Sequence, residues 1–223
     1  VWNPSTDTYI ENRFTVKTVT KGKEQNKKIL CDQFGLDITK PLFVFIGRLV
    51  GEKAADILPA AIRTAIYQTQ GNACFLILGS GETSIEWELQ QMTNEYQGIY
   101  NAYIGYNEQL SHLIYAGADF LLMPSRVEPC GLNQMYAMRY GTVPVVRSTG
   151  GLKDTVTDMG DTDGFGIRFN NATIDDLAYS IGRGVSVYQD KKHMEWMRKY
   201  MMQIDHSWES TVSEYRQVYQ SLK

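Results

Sequence analysis

The chain has 223 residues, 43% of them hydrophobic and 21% charged, with a formal net charge of −3. That length supports one sizeable core, the composition is that of a globular domain rather than a disordered one, and the slight acidity gives no support for a nucleic-acid partner. Cys31, Cys74 and Cys130 lie far apart with no C-x-x-C pair, which argues against a disulfide scaffold or a zinc site and fits a reducing cytoplasm. No apolar run approaches a membrane span, and no signal peptide opens the chain. The sequence begins Val1-Trp2-Asn3-Pro4 rather than with Met, and so reads as a piece of a longer protein.

In chain order, residues 1–28 show no clear periodicity and read as an extended lead-in ending in a basic, solvated stretch from Lys21 to Lys28. From residue 41 five short apolar runs follow: Leu42–Ile46, Ala73–Leu78, Tyr100–Ile104, Asp119–Met123 and Thr142–Val146. Each ends at or close to Gly, Pro or Ser, as strands buried on both faces do. Amphipathic stretches of helical length separate them, roughly 52–70, 83–96, 107–117 and 131–140. Such alternation predicts βαβ units and a doubly wound parallel α/β sheet of Rossmann type. A sixth strand is expected at Gly166–Phe169, and helices at 173–189, 191–203 and 207–222 make a helical C-terminal tail.

In open parallel sheets ligands bind outside the carboxyl ends of the strands, so chemistry is sought in the loops there. Arg48 follows the first run and Lys53 stands near the start of the next helix. Cations beside a helix N-terminus are disfavoured unless an anion lies between them; the alternative is a solvated pair neutralised by Glu52 or Asp56. The segment after the fourth run, Pro124-Ser125-Arg126-Val127-Glu128-Pro129-Cys130-Gly131-Leu132-Asn133, is the most informative. Pro129 restricts Glu128 to an extended conformation, and the following helix start offers free N–H groups to a phosphate. A carboxylate for hydroxyls beside amides for phosphate suits a sugar phosphate; a plain polar turn is the alternative. Cys130 has no nearby His in sequence and reads as a small buried thiol.

Thr149-Gly150-Gly151 offers a further glycine nest before a helix. Tyr106 either stacks on a base or packs on the core. The lone Gly79-Ser80-Gly81 is a poor dinucleotide fingerprint. Asp161-Thr162-Asp163 matches a metal-binding D-x-D, but its polar, Gly-rich setting reads as a solvated turn. His112, His193 and His206 show no metal spacing.

Taken together the motifs resemble the C-terminal domain of the bacterial glycogen synthase and plant starch synthase family, retaining glucosyltransferases built from two Rossmann-like domains (the GT-B architecture). The resemblance covers nearly the whole chain. It runs through Trp2-Asn3-Pro4-Ser5-Thr6-Asp7, Gly47-Arg48-Leu49 with Lys53, Ile104-Gly105-Tyr106, Glu128-Pro129-Cys130-Gly131-Leu132, Tyr140-Gly141-Thr142, Thr149-Gly150-Gly151-Leu152 and Ser207-Trp208. It implies that Arg48 and Lys53 contact the donor diphosphate and stabilise the leaving nucleotide without a metal or other cofactor. Glu128 then holds the transferred glucose. Tyr106 stacks on the base, while Cys130, Gly131, Leu132, Asn133, Thr149 and Gly150 complete the substrate site.

The implied reaction moves glucose from ADP-glucose or UDP-glucose to the non-reducing end of an α-1,4-glucan, with no membrane or nucleic-acid partner. The acceptor site belongs to an N-terminal domain whose Lys-x-Gly-Gly-Leu segment does not occur here, so the chain alone is expected to be inactive.

Three positions depart from the family or mark a branch of it. Ala54 replaces a glycine after the lysine, Asn133 replaces a Thr or Ser, and Tyr136 stands where other branches carry a second Glu. The implied division is a lead-in at 1–40, a nucleotide-sugar domain at 41–205, and a C-terminal helix at 206–223 packing toward the absent domain. Other sugar-nucleotide enzymes of the same fold, a non-catalytic nucleotide- or glucan-binding module, and a signalling-type domain are the competing readings. The last needs an acidic cluster after the first strand, where Arg48 and Lys53 stand instead.

Overall fold

The computed structural model describes residues 2–222, the side chain of Glu214 excepted. Its centre is one six-stranded sheet made of β1 (Leu42–Leu49), β2 (Cys74–Gly81), β3 (Tyr100–Ile104), β4 (Phe120–Met123), β5 (Val143–Arg147) and β6 (Ile167–Phe169). All pairs are parallel, in the order β3-β2-β1-β4-β5-β6. The apolar runs form strands because both faces are covered: Leu42 to Phe45 and Phe120 to Met123 are buried at every position. Phe43 stacks on Phe120 at 4.5 Å and on Phe75 at 5.7 Å, tying β4, β1 and β2 together on one face.

The connections are α2 (Leu58–Gln68), α3 (Thr83–Glu95), α4 (Glu108–Gly117), α5 (Asn133–Arg139) and α6 (Gly150–Thr155), followed by α7 (Ile174–Gln189), α8 (Lys191–Gln203) and α9 (Trp208–Ser221). The strand order reverses direction between β1 and β4, so right-handed crossovers place α2 and α3 on one face and α4 and α5 on the other. The reversal opens a crevice at the carboxyl ends of β1 and β4.

Two expectations are corrected. Residues 1–28 are not an extended lead-in: α1 (Val19–Phe34) begins within them, packs on α4 and is capped by Gly35 in the left-handed region. Ile10, Phe14 and Val19 are buried with it. The Lys21–Lys28 stretch is not wholly solvated either, because Lys23 and Lys27 turn inward. Lys23 Nζ donates to the carbonyls of Tyr115, Ala116 and Tyr140 at 3.1–3.2 Å and to Thr142 Oγ1 at 2.7 Å, capping the ends of α4 and α5. A lysine whose partners are carbonyls leaves no periodic apolar mark in sequence.

The helix expected over 52–70 begins only at Leu58. Residues 51–57 form two 3-10 turns, broken where Ala54 takes φ +53°. Likewise α5 begins at Asn133 rather than at 131, because Gly131 adopts φ +75°. At the C-terminus α9 leaves Trp208, Val212, Tyr215, Tyr219 and Leu222 exposed along one face.

Candidate active site

The crevice is built by two loops that clasp each other. After β1 the chain turns through residues 51–57, and after β4 it runs through 124–132. The Arg126 N–H donates to the Glu52 carbonyl at 2.8 Å, and its guanidinium grips Asp56 bidentately at 2.5 and 2.8 Å while Nη1 reaches the Gly51 carbonyl at 2.6 Å. Arg147, at the end of β5, holds the second loop from behind through the carbonyls of Ser125 and Arg126. Neither Arg126 nor Arg147 was singled out in the sequence. Arg147 carried the signal used for Arg48, a cation at a strand end; Arg126 and Asp56 are 70 residues apart, and no local pattern joins them.

Between the clasped loops Lys53 Nζ meets Glu128 Oε2 at 2.5 Å, and Ser125 Oγ donates to the same oxygen at 3.1 Å. The Glu128 side chain is only 10% exposed. A buried carboxylate requires such partners, and here they also fix its direction. Arg48 instead reaches into solvent and pairs with Glu52 at 3.0 Å, the arrangement given above as the alternative to an anion between Arg48 and Lys53. Lys53 takes neither Glu52 nor Asp56. Asn133, the first residue of α5, donates its side-chain amide to the Ile46 carbonyl at 2.8 Å, bridging the switch point from β1 to α5. Among the described residues the N–H groups of Gly131 and Leu132 have no protein acceptor.

The glycine pair after β5 has a different use from the nest expected of it. A Cβ on Gly150 would lie 2.2 Å from the Glu128 carbonyl, and one on Gly151 would lie 2.0 Å from that of Cys130. The Gly151 N–H is already donated to the carbonyls of Glu128 and Pro129. The pair therefore lets the 128–130 loop lie against α6, with Thr149 at its N-cap. Gly79 and Gly81 likewise permit close approach of β2 to the carbonyls of Gly47 and Leu49.

Two cavities meet at Gly47, Arg48 and Asn133. One, of about 220 Å³, sets the charged and polar groups of Lys53, Ser125 and Glu128 against an apolar wall of Phe45, Leu122, Met123 and Leu132. The other, of about 300 Å³, is largely aromatic, lined by Trp2, Gly79, Ser80, Gly105, Tyr106, Tyr115 and Tyr136. Tyr106 stands 84% exposed at its rim. Trp2 is sandwiched between His112, 3.8 Å away, and Tyr136, 4.4 Å away. The Asp7 carboxylate holds His112 Nδ1 at 2.7 Å and accepts from the Tyr140 hydroxyl at 2.5 Å, which anchors this first segment against the wall. Cys130 is exposed rather than buried, correcting the expectation for that thiol. Cys31 and Cys74 are the buried ones, and burial pushes their thiols up to about 12 and about 11.

A family model described as glycosyl transferases group 1 matches residues 40–186. The chain belongs to the group 1 glycosyl transferases. It is 53% identical over 219 residues to a glycogen synthase of Flavobacterium johnsoniae, covering 98% of this chain and 46% of that protein. A glycogen synthase of Rhodospirillum rubrum is 43% identical over 224 residues, covering 99% and 46%. This transferase chain thus spans a little under half the length of the curated relatives it matches. Among solved structures it superposes on the catalytic domain of starch synthase IV from Arabidopsis thaliana bound to ADP and acarbose. The TM-score is 0.86 and the identity 36%, over 99% of this chain and 46% of that one. A sucrose-phosphate synthase from Thermosynechococcus elongatus, TM-score 0.63 at 21% identity, shares the fold.

In this glycosyl transferase Arg48, Lys53, Glu128, Leu132 and Asn133 line the crevice, with Tyr106 at its outer end, while Cys130 and Gly131 lie in the loop between Glu128 and Leu132 and line neither cavity. Thr149 and Gly150 sit behind the 128–130 loop. Asp161 of the D-x-D stretch pairs with Arg168 at 3.3 Å beside β6. Among the described residues no group of three or more His, Cys, Asp or Glu is placed to hold a metal ion, and no helix is long and apolar enough to cross a membrane.

Proposed function

We propose that this chain is the donor-binding half of a glycogen or starch synthase, which moves glucose with retention from a nucleotide sugar to the non-reducing end of an α-1,4-glucan. The observation that carries the reading is the junction of an aromatic cavity with a charged one at the carboxyl ends of β1 and β4. A sugar nucleotide has the same two-part character, a flat base at one end and a diphosphate with its hexose at the other. ADP bound to the related starch synthase supports it further.

Tyr106 offers its ring to the base, which accepts either adenine or uracil because each has a π face. Arg48 and Lys53 turn from Glu52 and Glu128 toward the diphosphate, aided by the free N–H groups of Gly131 and Leu132. Their charge stabilises the leaving nucleotide as the glycosidic bond breaks, so this reading calls for no metal or other cofactor. Glu128, steadied by Ser125, accepts hydrogen bonds from the hexose hydroxyls.

The glucan acceptor is contributed by a second domain, across the crevice from this one. The exposed apolar face of α9 is assigned to packing on that domain, and the chain by itself transfers little or no glucose. The test is calorimetric titration with ADP, UDP, ADP-glucose and UDP-glucose, with an Arg48→Ala, Lys53→Ala double variant as control. Saturable binding lost in the double variant is the expected result, and the tighter base names the donor. Absence of binding by both the folded chain and the two-domain protein overturns the assignment.

A further inference from the structure

The opposite end of the sheet holds a second polar cavity, of about 430 Å³. It lies where the first residues of β1 and β4 meet α1 and the corner between α7 and α8, and shares no residue with the donor crevice. Its charged lining is Lys23, Glu24, Lys27, Asp119, Lys191, Glu195 and Arg198. Asp119 is the buried carboxylate, and it is fully used: it pairs with Lys27 at 2.7 Å and Arg198 at 2.5 Å and accepts the Leu42 N–H at 2.9 Å. Glu195 is engaged by Lys199 at 2.6 Å, and Glu24 is exposed at the mouth. Lys23, Lys27, Lys191 and Arg198 thus face the cavity against Glu24, Asp119 and Glu195, with Lys23 spent on carbonyls and its pKa lowered by burial.

Two of those cations hold unused donors. Lys191 Nζ lies 3.5 Å over the Tyr188 ring, and among the described residues no carboxylate is within ion-pair distance of it. It is also the first residue of α8, where the helix dipole already disfavours a cation. Arg198 gives one N–H, on Nη2, to Asp119, and among the described residues its Nη1 has no acceptor. The Tyr188 hydroxyl accepts from Lys27 at 3.1 Å and keeps its own proton to donate. Burial lowers the pKa of Lys191, with Lys27 and Arg198 adding to the effect against the pull of Asp119. That crowding of positive charge is what an anion would relieve.

We propose that this cavity is a binding site for a small phosphate-bearing anion, held by Lys191, Arg198 and the Tyr188 hydroxyl. The Arg198 Nη1 left over by Asp119 suits a phosphate oxygen, and Lys191 adds a mobile charge. The site sits beneath the two strands whose other ends form the crevice, about 13 Å away along the four residues of β4.

The test is calorimetric titration with sodium phosphate, and separately with glycerol 3-phosphate, against sodium chloride at matched ionic strength. The parent chain is compared with Lys191→Gln and with the Arg48→Ala, Lys53→Ala variant, which removes phosphate contacts in the crevice. Saturable binding that persists in the crevice variant and weakens at least fivefold in Lys191→Gln is expected, and the tighter of the two anions distinguishes free phosphate from a monoester. Lys191 is exposed, so Lys191→Gln should melt with the parent. Loss of all phosphate binding in the crevice variant, or unchanged affinity in Lys191→Gln, overturns the proposal.

Discussion

Lys53 and Glu128 occupy each other in the crevice, 2.5 Å apart with side chains 25% and 10% exposed. Under the proposed function they play opposite parts toward a nucleoside diphosphate, so the two substitutions should act with opposite sign. A phosphate oxygen on the far side of Lys53 Nζ, at a charge-assisted distance of about 2.8 Å, lies roughly 5–6 Å from the Glu128 carboxylate. At an effective dielectric of about 20, each unit of charge is then repelled by roughly 2.8–3.3 kcal/mol before relaxation. If about half of that survives solvent and side-chain relaxation, Glu128→Gln tightens ADP about tenfold, since about 1.4 kcal/mol is one decade.

Lys53→Ala removes a charge-assisted hydrogen bond of about 1.5–3 kcal/mol, and so weakens ADP by at least about tenfold. The assay is calorimetric titration of ADP into the parent and both variants, with thermal melts to show that each remains folded. Weakening of ADP by Glu128→Gln to the same degree as by Lys53→Ala would refute the reasoning. It would mean that the carboxylate serves only to aim Lys53 at the phosphate.

Three further outcomes concern stability. Asp119→Asn leaves Lys27 and Arg198 facing each other without a buried counter-charge and should cost about 3–5 kcal/mol in urea unfolding. Burial works against the charge of Asp119, yet Lys27 and Arg198 beside it hold its carboxyl below the usual range. With the folded pKa below the unfolded one, its contribution is complete above about pH 4 and lost as pH falls through the folded value. Part of the parent's acid destabilisation should therefore vanish in Asp119→Asn.

Ala54, fully buried at φ +53°, carries about 1–2 kcal/mol of left-handed strain. That is offset by about 0.8 kcal/mol of methyl burial and by about 0.4–1 kcal/mol of entropy denied to the unfolded chain. Ala54→Gly should thus change thermal stability by no more than about 1 kcal/mol in either direction, whereas β-branched Ala54→Val should destabilise well beyond that. Gly151→Ala drives a methyl into the Cys130 carbonyl, should cost about 1–3 kcal/mol, and should weaken nucleotide binding by shifting the 128–130 loop.

The sequence by itself determined the sheet and where to look on it. Leu42–Ile46 and Phe120–Met123 could only be strands buried on both faces, and their ends at Gly47 and Pro124 marked the loops that form the crevice. Arg48, Lys53 and Glu128 drew attention because they are charges in the loops that follow buried parallel strands.

Only the tertiary structure decided what those charges do with one another. It paired Lys53 with Glu128, 75 residues away, and left Arg48 with its local neighbour Glu52. It also set Gly150 and Gly151 against the 128–130 loop, with the Gly151 N–H given to the Glu128 and Pro129 carbonyls. Lys23 and Lys27 escaped the sequence for the same reason: a lysine satisfied by carbonyls or a buried aspartate is indistinguishable from a solvated one until its partners arrive. Periodicity reports which face of a segment is buried, since that repeats along one element. It is silent on partners from other elements, and in this protein the ion-pair partners of Asp119 and Glu128 and the acceptors of Lys23 come from elsewhere in the chain.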